Sequence, residues 1–361
     1  MKGVILAGGS GTRLRPFTNA TQKQLLPVVN KPVLEYVVED LKRAGIDDIG
    51  VVVGGDYPEK VRERMGDGSA YGVELTYIHQ GDPRGLADAV HCAKEFVGDS
   101  PFVVYFGDTI AGGDITAELV RGFDPDEHDV GIVLKAVEDP TRFGTAELDG
   151  EGGIRRVLEK PDNPPTNLAY VGVQAYTPAV FDVIEDLEPS ARGELELTHA
   201  VDALASGADT YWTETSDVWM DVGTVEDLLE ANRHFAEAAA PGMTGDVSEG
   251  AEVTGRVSLG HRSTVEAGAE IRGPVHIGER TVIGGDAVLG PYVCVGDGCE
   301  IRRASVRSSV IMDDVEADCD FTLEGSVVGS QSRLSGDSDP TLRVTLTVGP
   351  DSEVTLQDWG V

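Results

Sequence analysis

The first two thirds of the chain alternates short, mostly apolar runs with stretches whose apolar residues recur at helical spacing. Short apolar runs bounded by glycine or proline are typical of buried strands, and a 3.6-residue period is typical of amphipathic helices. The runs lie at residues 4–6, 51–53, 73–79, 102–106, 129–137 and 168–176, and the helices near 32–45, 58–65, 86–97, 178–187, 195–205 and 225–240. This order predicts a mostly parallel, doubly wound α/β sheet with helices on both faces. Ligands of such sheets bind beyond the carboxyl ends of the strands.

A six-residue period replaces this alternation beyond residue 246. Ten aliphatic residues follow one another six positions apart: Val247, Val253, Leu259, Val265, Ile271, Ile277, Ile283, Leu289, Val295 and Ile301. Hexapeptide repeats of this kind predict a parallel β-helix, in which the aliphatic positions stack into one core. The register loosens after Ile301, so we expect about two further turns, ending near Gly329, and then a strand pair that covers the open end.

The domain boundaries follow from these two patterns. A chain of 361 residues exceeds the usual size of a single domain. We expect an α/β domain over residues 1–240, a linker at 241–246 that begins with Pro241-Gly242, the β-helix over 247–330 and capping strands over 331–361.

The composition adds a strong acidic excess, with 63 Asp and Glu against 29 Lys and Arg and a net charge of −34. Nucleic acids and anionic membranes are disfavoured as partners, because their phosphates would be repelled. Only 8 of the cationic residues are lysines, and an acidic, lysine-poor surface favours a high-salt cytoplasm in which the charge is screened. An acidic protein of ordinary salt conditions is the alternative interpretation.

The cysteines and the apolar runs bear on the compartment. Cys92, Cys294, Cys299 and Cys319 form no C-x-x-C pair, which favours free thiols in a reducing compartment over a metal site or disulfides. The chain enters its first strand at once, without a signal peptide, and no apolar run is long enough to span a bilayer. We therefore expect a cytoplasmic protein.

The strongest candidate for chemistry is the glycine-rich loop that follows the first strand. Gly8, Gly9 and Gly11 allow backbone N–H groups to turn toward an anion, and Arg13 and Lys23 add positive charge. The spacing excludes a Walker A loop, because no Gly-Lys follows at the required distance, and a dinucleotide fingerprint, because the third glycine is missing. A polyphosphate is the expected ligand, although an ordinary tight turn explains a bare glycine loop equally well.

Two longer strings extend this loop. GGSGTRLRP at 8–16 and KQLLPVVNKP at 23–32 resemble, in one register, the signature of the sugar-1-phosphate nucleotidyltransferases, and the KQLLPV form is most similar to their glucose-1-phosphate thymidylyltransferase branch. The resemblance implies a left-handed β-helix and Mg²⁺-dependent nucleotidyl transfer from dTTP to glucose-1-phosphate, with UTP as the alternative donor. It also favours a homo-oligomer, because stacked β-helices commonly pack side by side.

The resemblance assigns the catalytic residues. Arg13 and Lys23 are expected to bind the β- and γ-phosphates, and Asp108 and Asp221 to hold Mg²⁺, since this hard cation prefers oxygen ligands. No general base is needed, because the sugar phosphate is already an anionic nucleophile. In isolation, an aspartate after a strand, such as Asp108, is more often a helix cap or turn residue than a metal ligand, and Asp221 is equally typical of a turn residue before Gly223.

The base-binding residues follow from the same resemblance. Gln80 and Gly85, in IHQGDPRGLADA, are expected to hydrogen bond to the edge of the pyrimidine. The other expected nucleotide-site residues are Leu6, Gly8, Gly9, Gly11, Thr12 and Gln24.

The sugar phosphate is expected at the segments RFGTAE, VLEKP and SARGELELT. The resemblance places Gly144 and Glu159 at the sugar, and Lys160 and Arg192 at its phosphate. Val171 and Tyr176 are further candidates, and both also fit a simple core role.

Two residues depart from the family pattern. Thr109 stands where Asn usually follows the metal aspartate, and His199 stands where Asp usually follows the GELEIT segment. We expect the first to affect ribose contacts and the second to affect local packing or subunit contacts, and neither removes a charge that the mechanism needs.

Two rival functions remain. Parallel β-helices also house acyltransferases, and His261 or His276 could act as a base toward an amino sugar. A regulatory subunit that binds sugar nucleotides without turnover is the other alternative. It predicts loss of the catalytic cations or aspartates, all of which are present.

Overall fold

The protein, described here as a computed structural model over residues 1–150, 152–205, 210–337 and 341–356, forms two compact units. The first unit consists of Met1–Ser10 and Val33–Asp221, and the second of Gly11–Pro32 and Val222–Val361. This division differs from the predicted boundary at 241–246. The physical reason is that the last α-helix packs on strands of the β-helix and on the hairpin strand Pro27–Val28.

The secondary structure is as follows. The strands up to Asp221 are β1 (Lys2–Ala7), β2 (Pro27–Val28), β3 (Lys31–Pro32), β4 (Asp48–Val53), β5 (Glu74–His79), β6 (Phe102–Phe106), β7 (Thr109–Ala111), β8 (Val130–Ala136), β9 (Thr145–Leu148), β10 (Ile154–Leu158), β11 (Leu168–Tyr176), β12 (Tyr211–Glu214) and β13 (Trp219–Asp221). The α-helices are α1 (Val33–Arg43), α2 (Pro58–Met65), α3 (Leu86–Cys92), α4 (Lys94–Val97), α5 (Ile115–Gly122), α6 (Ala179–Glu185), α7 (Leu197–Ala205) and α8 (Val225–Ala238). Single 3₁₀ turns occur at Thr12–Leu14, Phe17–Asn19, Lys23–Leu25, Ser69–Tyr71 and Pro140–Arg142.

The first unit contains a nine-stranded mixed sheet, in the order β10-β9-β11-β6-β1-β4-β5, with β8 beside β11 and β12 beside β8, and a separate two-stranded sheet of β7 and β13. β6, β1, β4 and β5 are parallel, as the alternation of strands and helices predicts. β11 runs antiparallel to β6, β8 and β9. The expected parallel arrangement therefore holds for the first half of the unit. In the second half, the antiparallel hairpin β9–β10 replaces a crossover helix.

The core of the first unit lies around its central strands. β1 and β6 are apolar along their length because helices cover the sheet, and Ile5 and Val104 are fully buried. Phe102 of β6 stacks on Phe181 of α6, with ring centroids 5.5 Å apart. Together these side chains fix the strand that leads directly to Asp108.

The second unit is a left-handed parallel β-helix with α8 and Gly11–Pro32 packed on it. Its strands are β14 (Gly242–Met243), β15 (Asp246–Val247), β16 (Glu252–Thr254), β17 (Val257–Leu259), β18 (Thr264–Val265), β19 (Glu270–Arg272), β20 (Val275–Ile277), β21 (Val282–Ile283), β22 (Val288–Leu289), β23 (Val293–Val295), β24 (Glu300–Arg302), β25 (Ser305–Arg307), β26 (Ser309–Ile311), β27 (Glu316–Cys319), β28 (Thr322–Glu324), β29 (Val327–Val328), β30 (Arg333–Gly336), β31 (Arg343–Val344), β32 (Thr347–Val348) and β33 (Glu353–Thr355). Each strand pairs with the third strand after it in the chain. This gives three parallel sheets, which run from β14 to β32, from β15 to β33 and from β16 to β31 in steps of three strands.

The register of the β-helix follows the hexapeptide pattern. Val257 pairs with Val275, and Val275 with Val293, so each coil takes three hexapeptides. Val293 then pairs with Ser309, two residues short of that spacing. The loss of period after Ile301 in the sequence is therefore a real shortening of the coil, and the stacking continues through it.

Two expectations about the ends of the β-helix are wrong. β14 lies in the predicted linker and already pairs with β17, so the coils begin at Gly242. The predicted capping strand pair is instead a further parallel coil, in which β31, β32 and β33 stack on β28, β29 and β30. The reason is that longer loops bring these strands back into register on the coil before them. Residues 338–340 and 357–361 of the predicted cap lie outside the described residues.

Candidate active site

The candidate residues fall into two groups, one in each unit. The first group is built around Asp108 and Asp221. Asp108 follows β6, and β7 begins at the next residue. β13 runs antiparallel to β7 and pairs Asp221 with Thr109. Opposite residues of an antiparallel pair have Cα atoms about 4.5 to 5.5 Å apart, so the two aspartates are close neighbours, and both are half-buried.

A buried network holds the strand that carries this pair. The hydroxyl of Tyr105 accepts a hydrogen bond from the N–H of Ala111 in β7 (3.1 Å). Burial and the neighbouring Asp40 raise the pKa of Tyr105 well above its usual value, so the phenol keeps its proton and hydrogen bonds to Asp40. Asp40 also accepts from Thr116 of α5 (2.5 Å). The position of β7 is thus fixed from α1, β6 and α5 together.

A second feature of the first unit joins the ends of β1, β4 and β5. Nε2 of Gln80 donates to Asp88 (2.9 Å) and lies 3.3 Å from the carbonyl of Gly85. Oε1 of Gln80 faces Gly8, where an added Cβ would be only 2.8 Å from it. The predicted base-reading residues Gly8, Gln80 and Gly85 are therefore brought together at the carboxyl edge of the sheet.

Gly85 needs to be glycine for two reasons. Its φ is +115°, and an added Cβ would be 2.5 Å from the carbonyl oxygen of Leu195. Leu195 in turn donates its N–H to the carbonyl of Arg84 (2.7 Å) and accepts from Ala87. The Gln80–Asp88 segment is thereby bonded to the SARGELELT segment.

Leu6 and Gly9 complete the first-unit nucleotide residues. Leu6 lies within β1, almost completely buried, and its carbonyl accepts from Gly107 (2.9 Å). Gly9 is exposed in the loop that follows β1. Gly9 thus has an accessible backbone, whereas the side chain of Leu6 is packed within its strand, and the nucleotide roles of both stay predictions.

Arg192 is held between two carboxylates. Its Nη2 donates to Glu159 (2.9 Å), and its Nε donates to Glu196 (3.1 Å). Burial opposes the charge of Arg192, but the hydrogen bonds to Glu196 and Glu159 outweigh it and raise the pKa of the guanidinium. Ser190 donates to the same oxygen of Glu196 (2.7 Å). An incoming phosphate would replace these carboxylates on a side chain that is already oriented.

Glu159 connects the predicted sugar residues. Its second oxygen accepts from Thr198 of α7 (3.1 Å), and Lys160 lies 3.5 Å from its first oxygen. An added Cβ on Gly144 would be 2.9 Å from the methyl carbon of Thr198 and 3.7 Å from Glu159. Gly144, Glu159, Lys160 and Arg192 therefore form one cluster, as expected from the sequence.

Sequence reasoning missed Glu196 and Thr198. Both are buried, at 4% and 3% exposure, and orient Arg192 and Glu159. The sequence signal for these two residues was the alternation of polar and apolar residues in ELELT (194–198), which leads into α7. His199 is the next residue and is half-buried at the start of the same helix.

Val171 and Tyr176, the further candidates for the sugar site, lie in the core of the first unit. Both are fully buried core residues of β11. Tyr176 pairs with Phe102, the first residue of β6, and so lies about 13 Å along that strand from its carboxyl end. Its hydroxyl donates to Gln174 (2.9 Å). The structure therefore favours the core role for Tyr176, and the side chain of Val171 is likewise packed in the core, while a contact of either residue with the sugar stays a prediction.

The second group lies in Gly11–Pro32. Gly11 has a φ of +59°, and an added Cβ would be 2.9 Å from Thr18 and 3.0 Å from Cβ of Lys23. The carbonyl of Gly11 accepts from the Thr18 hydroxyl (2.8 Å) and from the N–H of Leu14. The 3₁₀ turns that carry Arg13 and Lys23 are thus packed against each other.

Thr12 and Gln24 lie in the same two turns. Thr12 is exposed beside Arg13. Gln24 is 1% exposed, and neither atom of its amide has a hydrogen-bond partner in the described part of the chain. A buried amide without a partner is costly, so Gln24 fits a residue that bonds to a ligand.

A divalent cation is compatible with the first group. Among the described residues there is no cluster of three or more His, Cys, Asp or Glu side chains that could hold a metal by itself. Mg²⁺ commonly takes only one or two carboxylates, together with water and substrate phosphates. The pair Asp108 and Asp221 fits that donor set.

The fold and this site place the chain in a known class. Residues 2–238 match the Nucleotidyl transferase family model, and residues 271–339 match that of the GMPPB C-terminal domain. The chain belongs to the nucleotidyltransferase family, and it is an enzyme of that family.

Particular relatives cover the whole chain. It is 47% identical over 361 residues to the low-salt glycan biosynthesis nucleotidyltransferase Agl11 of Haloferax volcanii, covering 99% of this chain and 100% of that protein. It is 40% identical over 359 residues to a glucose-1-phosphate thymidylyltransferase of Streptomyces antibioticus, with 99% and 100% coverage. A solved Bacillus anthracis structure, assigned as a glucose-1-phosphate thymidylyltransferase, superposes with a TM-score of 0.62 at 37% identity, over 67% of this chain and 98% of that one.

No helix in the described ranges is long and apolar enough to cross a membrane.

Proposed function

We propose that this protein transfers a thymidylyl group from dTTP to glucose-1-phosphate, giving dTDP-glucose and pyrophosphate. A phosphate oxygen of the sugar attacks the α-phosphorus, a new P–O bond forms, and the bond to the β-phosphate breaks with pyrophosphate as the leaving group. The observation that supports this proposal best is the register that pairs Asp221 with Thr109, beside Asp108. This register brings together two carboxylates, a donor set that Mg²⁺ accepts together with water and substrate phosphates.

In this reaction the metal and the triphosphate are bound by different residues of the chain. Asp108 and Asp221 hold Mg²⁺, which neutralises charge on the phosphates when it is bound. Arg13 forks across two phosphate oxygens, and Lys23 acts as a point charge on the β- and γ-phosphates. These cations stabilise the departing pyrophosphate.

The first unit binds the base and the sugar phosphate. Gln80, oriented by Asp88, hydrogen bonds to the pyrimidine edge next to Gly8 and Gly85. Glu159 accepts from the sugar hydroxyls, and Arg192 with Lys160 holds the phosphate in line for attack. Because the sugar phosphate is already anionic, none of these residues acts as a general base.

The donor nucleotide is the finer part of the proposal. The relatives from Streptomyces antibioticus and Streptomyces griseus that align over nearly the whole chain carry the name glucose-1-phosphate thymidylyltransferase. Uridylyl transfer is the second candidate, because one methyl contact contributes only about 1–3 kcal/mol of discrimination.

A pyrophosphate-release screen across nucleoside triphosphates and sugar phosphates, with Mg²⁺ and concentrated KCl, tests the function. We expect turnover with dTTP and glucose-1-phosphate at a rate at least equal to that with UTP. A clear preference for UTP contradicts the donor assignment, and no release with any pair contradicts the reaction. Incubation with acetyl-CoA and glucosamine-1-phosphate tests the acyltransferase alternative, for which we expect no release of CoA.

A further inference from the structure

The hairpin β2–β3 has an unusual turn. Val28 pairs with Lys31, so Val29 and Asn30 form a two-residue loop, with φ of +50° and +59°. Two positive φ values define a type I′ turn, for which Asn-Gly is the favoured sequence. Asn tolerates this conformation, but a β-branched residue such as Val is a genuine outlier there. Contacts elsewhere in the unit must therefore hold the turn in place.

Asn232 of α8 supplies the first of these contacts. Its Oδ1 accepts from the N–H of Val29 (2.8 Å), and its Nδ2 donates to the carbonyls of Pro27 (3.2 Å) and Leu228 (2.9 Å). Asn232 is 4% exposed. One buried amide thus binds the strand that enters the turn and the first residue of the turn to the helix.

The β-helix supplies the second contact. Nδ2 of Asn30 donates to the carbonyl of Val295, the last residue of β23 (2.6 Å). Cys294 of the same strand is buried and lies within hydrogen-bonding reach of the Val29 backbone. The Val29-Asn30 turn therefore packs on one coil of the β-helix.

The same segment meets the β-helix again at its other end. An added Cβ on Gly349, which follows β32, would be 2.9 Å from Cβ of Pro16. β23 and β32 belong to one sheet and are three strand steps apart, a distance of about 14 Å. The segment from Pro16 to Asn30 is therefore attached to the β-helix at both ends, and Lys23 and Gln24 lie in the chain between these two attachments.

We infer that the β-helix is a template for the triphosphate-binding segment, and that Asn30 and Asn232 are positioning residues for Arg13 and Lys23. The inference rests on the proposed function, which assigns those two cations to the phosphates. Gly11–Pro32 contains only single 3₁₀ turns and a two-residue ladder, so it has little stability of its own. Attachment to a rigid stack orders the cations before substrate binds, which lowers the entropy cost of binding.

The kinetic test uses the full chain with Asn30→Gly and Asn232→Leu. Asn30→Gly keeps a residue suited to positive φ and removes only the side-chain donor. We expect KM for dTTP to rise about tenfold, with kcat and the KM for glucose-1-phosphate changed less than about twofold. Asn232→Leu keeps the side-chain volume and should show the same pattern more strongly.

Tyr292→Phe is the matched control. Its hydroxyl donates to Glu237 (2.7 Å), which also joins α8 to the β-helix but is a bond separate from those that Asn30 and Asn232 make with the hairpin segment. This variant should keep the wild-type KM for dTTP. If Tyr292→Phe raises KM as much as Asn30→Gly, the effect belongs to general packing of α8, and the template inference is wrong.

Amide hydrogen exchange tests whether Asn30 orders residues 11–26, and it does not depend on catalytic turnover. In Asn30→Gly, the amides of residues 11–26 should exchange at least about tenfold faster than in the wild type, with the β-helix amides unchanged. Unchanged exchange at residues 11–26 overturns the inference. If the wild type itself releases no pyrophosphate, the proposed function fails, while the exchange comparison still shows whether Asn30 orders this segment.

Discussion

Asp221 lies opposite Thr109 in the antiparallel pair of β13 and β7, so that it neighbours Asp108 although more than a hundred residues separate them in the chain. Neither aspartate is distinctive alone, since Asp108 follows β6 and Asp221 ends β13, positions where turn residues are common. Their pairing brings two oxygen donors to the carboxyl end of β6. This is where a ligand of a parallel sheet is expected.

Asp108→Asn and Asp221→Asn should each lower kcat by about 100-fold or more, because each removes one anionic ligand from the metal. The fold should remain, since an amide has nearly the volume of the carboxylate. Pyrophosphate release and circular dichroism measure both. Asp114→Asn is the control, because Asp114 is exposed and its side chain does not cap α5. Near-normal rates for both site variants would remove the metal assignment.

Gly85→Ala should destabilise the protein by about 2 kcal/mol or more, because the new methyl group meets the Leu195 backbone and φ is +115°. It should also weaken nucleotide binding, since Gln80 bonds to the Gly85 carbonyl. Urea denaturation and dTTP titration test the two effects. Gly81→Ala, in the same loop, has no heavy atom within 4 Å of its added Cβ and should change neither. Equal stability of the two variants would contradict the close approach to Leu195.

Arg192→Lys should raise KM for glucose-1-phosphate about tenfold or more, with KM for dTTP little changed. Lysine keeps the charge but cannot bridge Glu159 and Glu196 as the planar guanidinium does. Initial-rate kinetics with each substrate varied measures the split. Arg155→Lys is the control, because that exposed arginine pairs only with Glu147 among the described ion pairs. A rise in KM for dTTP alone would place Arg192 at the nucleotide instead.

Removal of salt should destabilise the protein. At a net charge of −34, repulsion between carboxylates favours the expanded chain, and molar KCl screens it. We expect the Tm in molar KCl to exceed the Tm in dilute buffer by several degrees, as measured by calorimetry. A Tm independent of KCl would favour the alternative of an ordinary acidic protein.

The thiols should be slow to react in the native protein. Burial raises the pKa of Cys294, Cys299 and Cys319 to about 12, so almost no thiolate is present at pH 8. Cys92 is half-buried, and its pKa is also raised, chiefly by burial. A thiol reagent such as DTNB should label at most one cysteine quickly before denaturation and all four after it. Two or more fast thiols in the native protein would contradict the packing of the β-helix.

The sequence pattern predicted the structure correctly where one short spacing of hydrophobic residues determines it. The hexapeptide spacing from Val247 to Ile301 predicts the stacked coils, because each aliphatic side chain must point into the same core. The glycine loop and the strings around Arg13, Lys23, Glu159 and Arg192 identified most of the candidate site. Glu196 and Thr198 were missed, because buried residues that orient others have no separate motif.

The sequence by itself therefore determined the buried strands, the coils and the cations and carboxylates available for phosphate chemistry, since hydrophobic period and charge are local properties. The tertiary structure alone decided that Asp221 lies beside Asp108, that Tyr176 belongs to the core, and that Gly11–Pro32 packs with the β-helix. Those relations depend on which distant backbone groups pair and which surfaces bury each other. Such pairings are selected by the free energy of the whole fold. They cannot be predicted from the spacing of hydrophobic residues along the chain, which reflects only local structure.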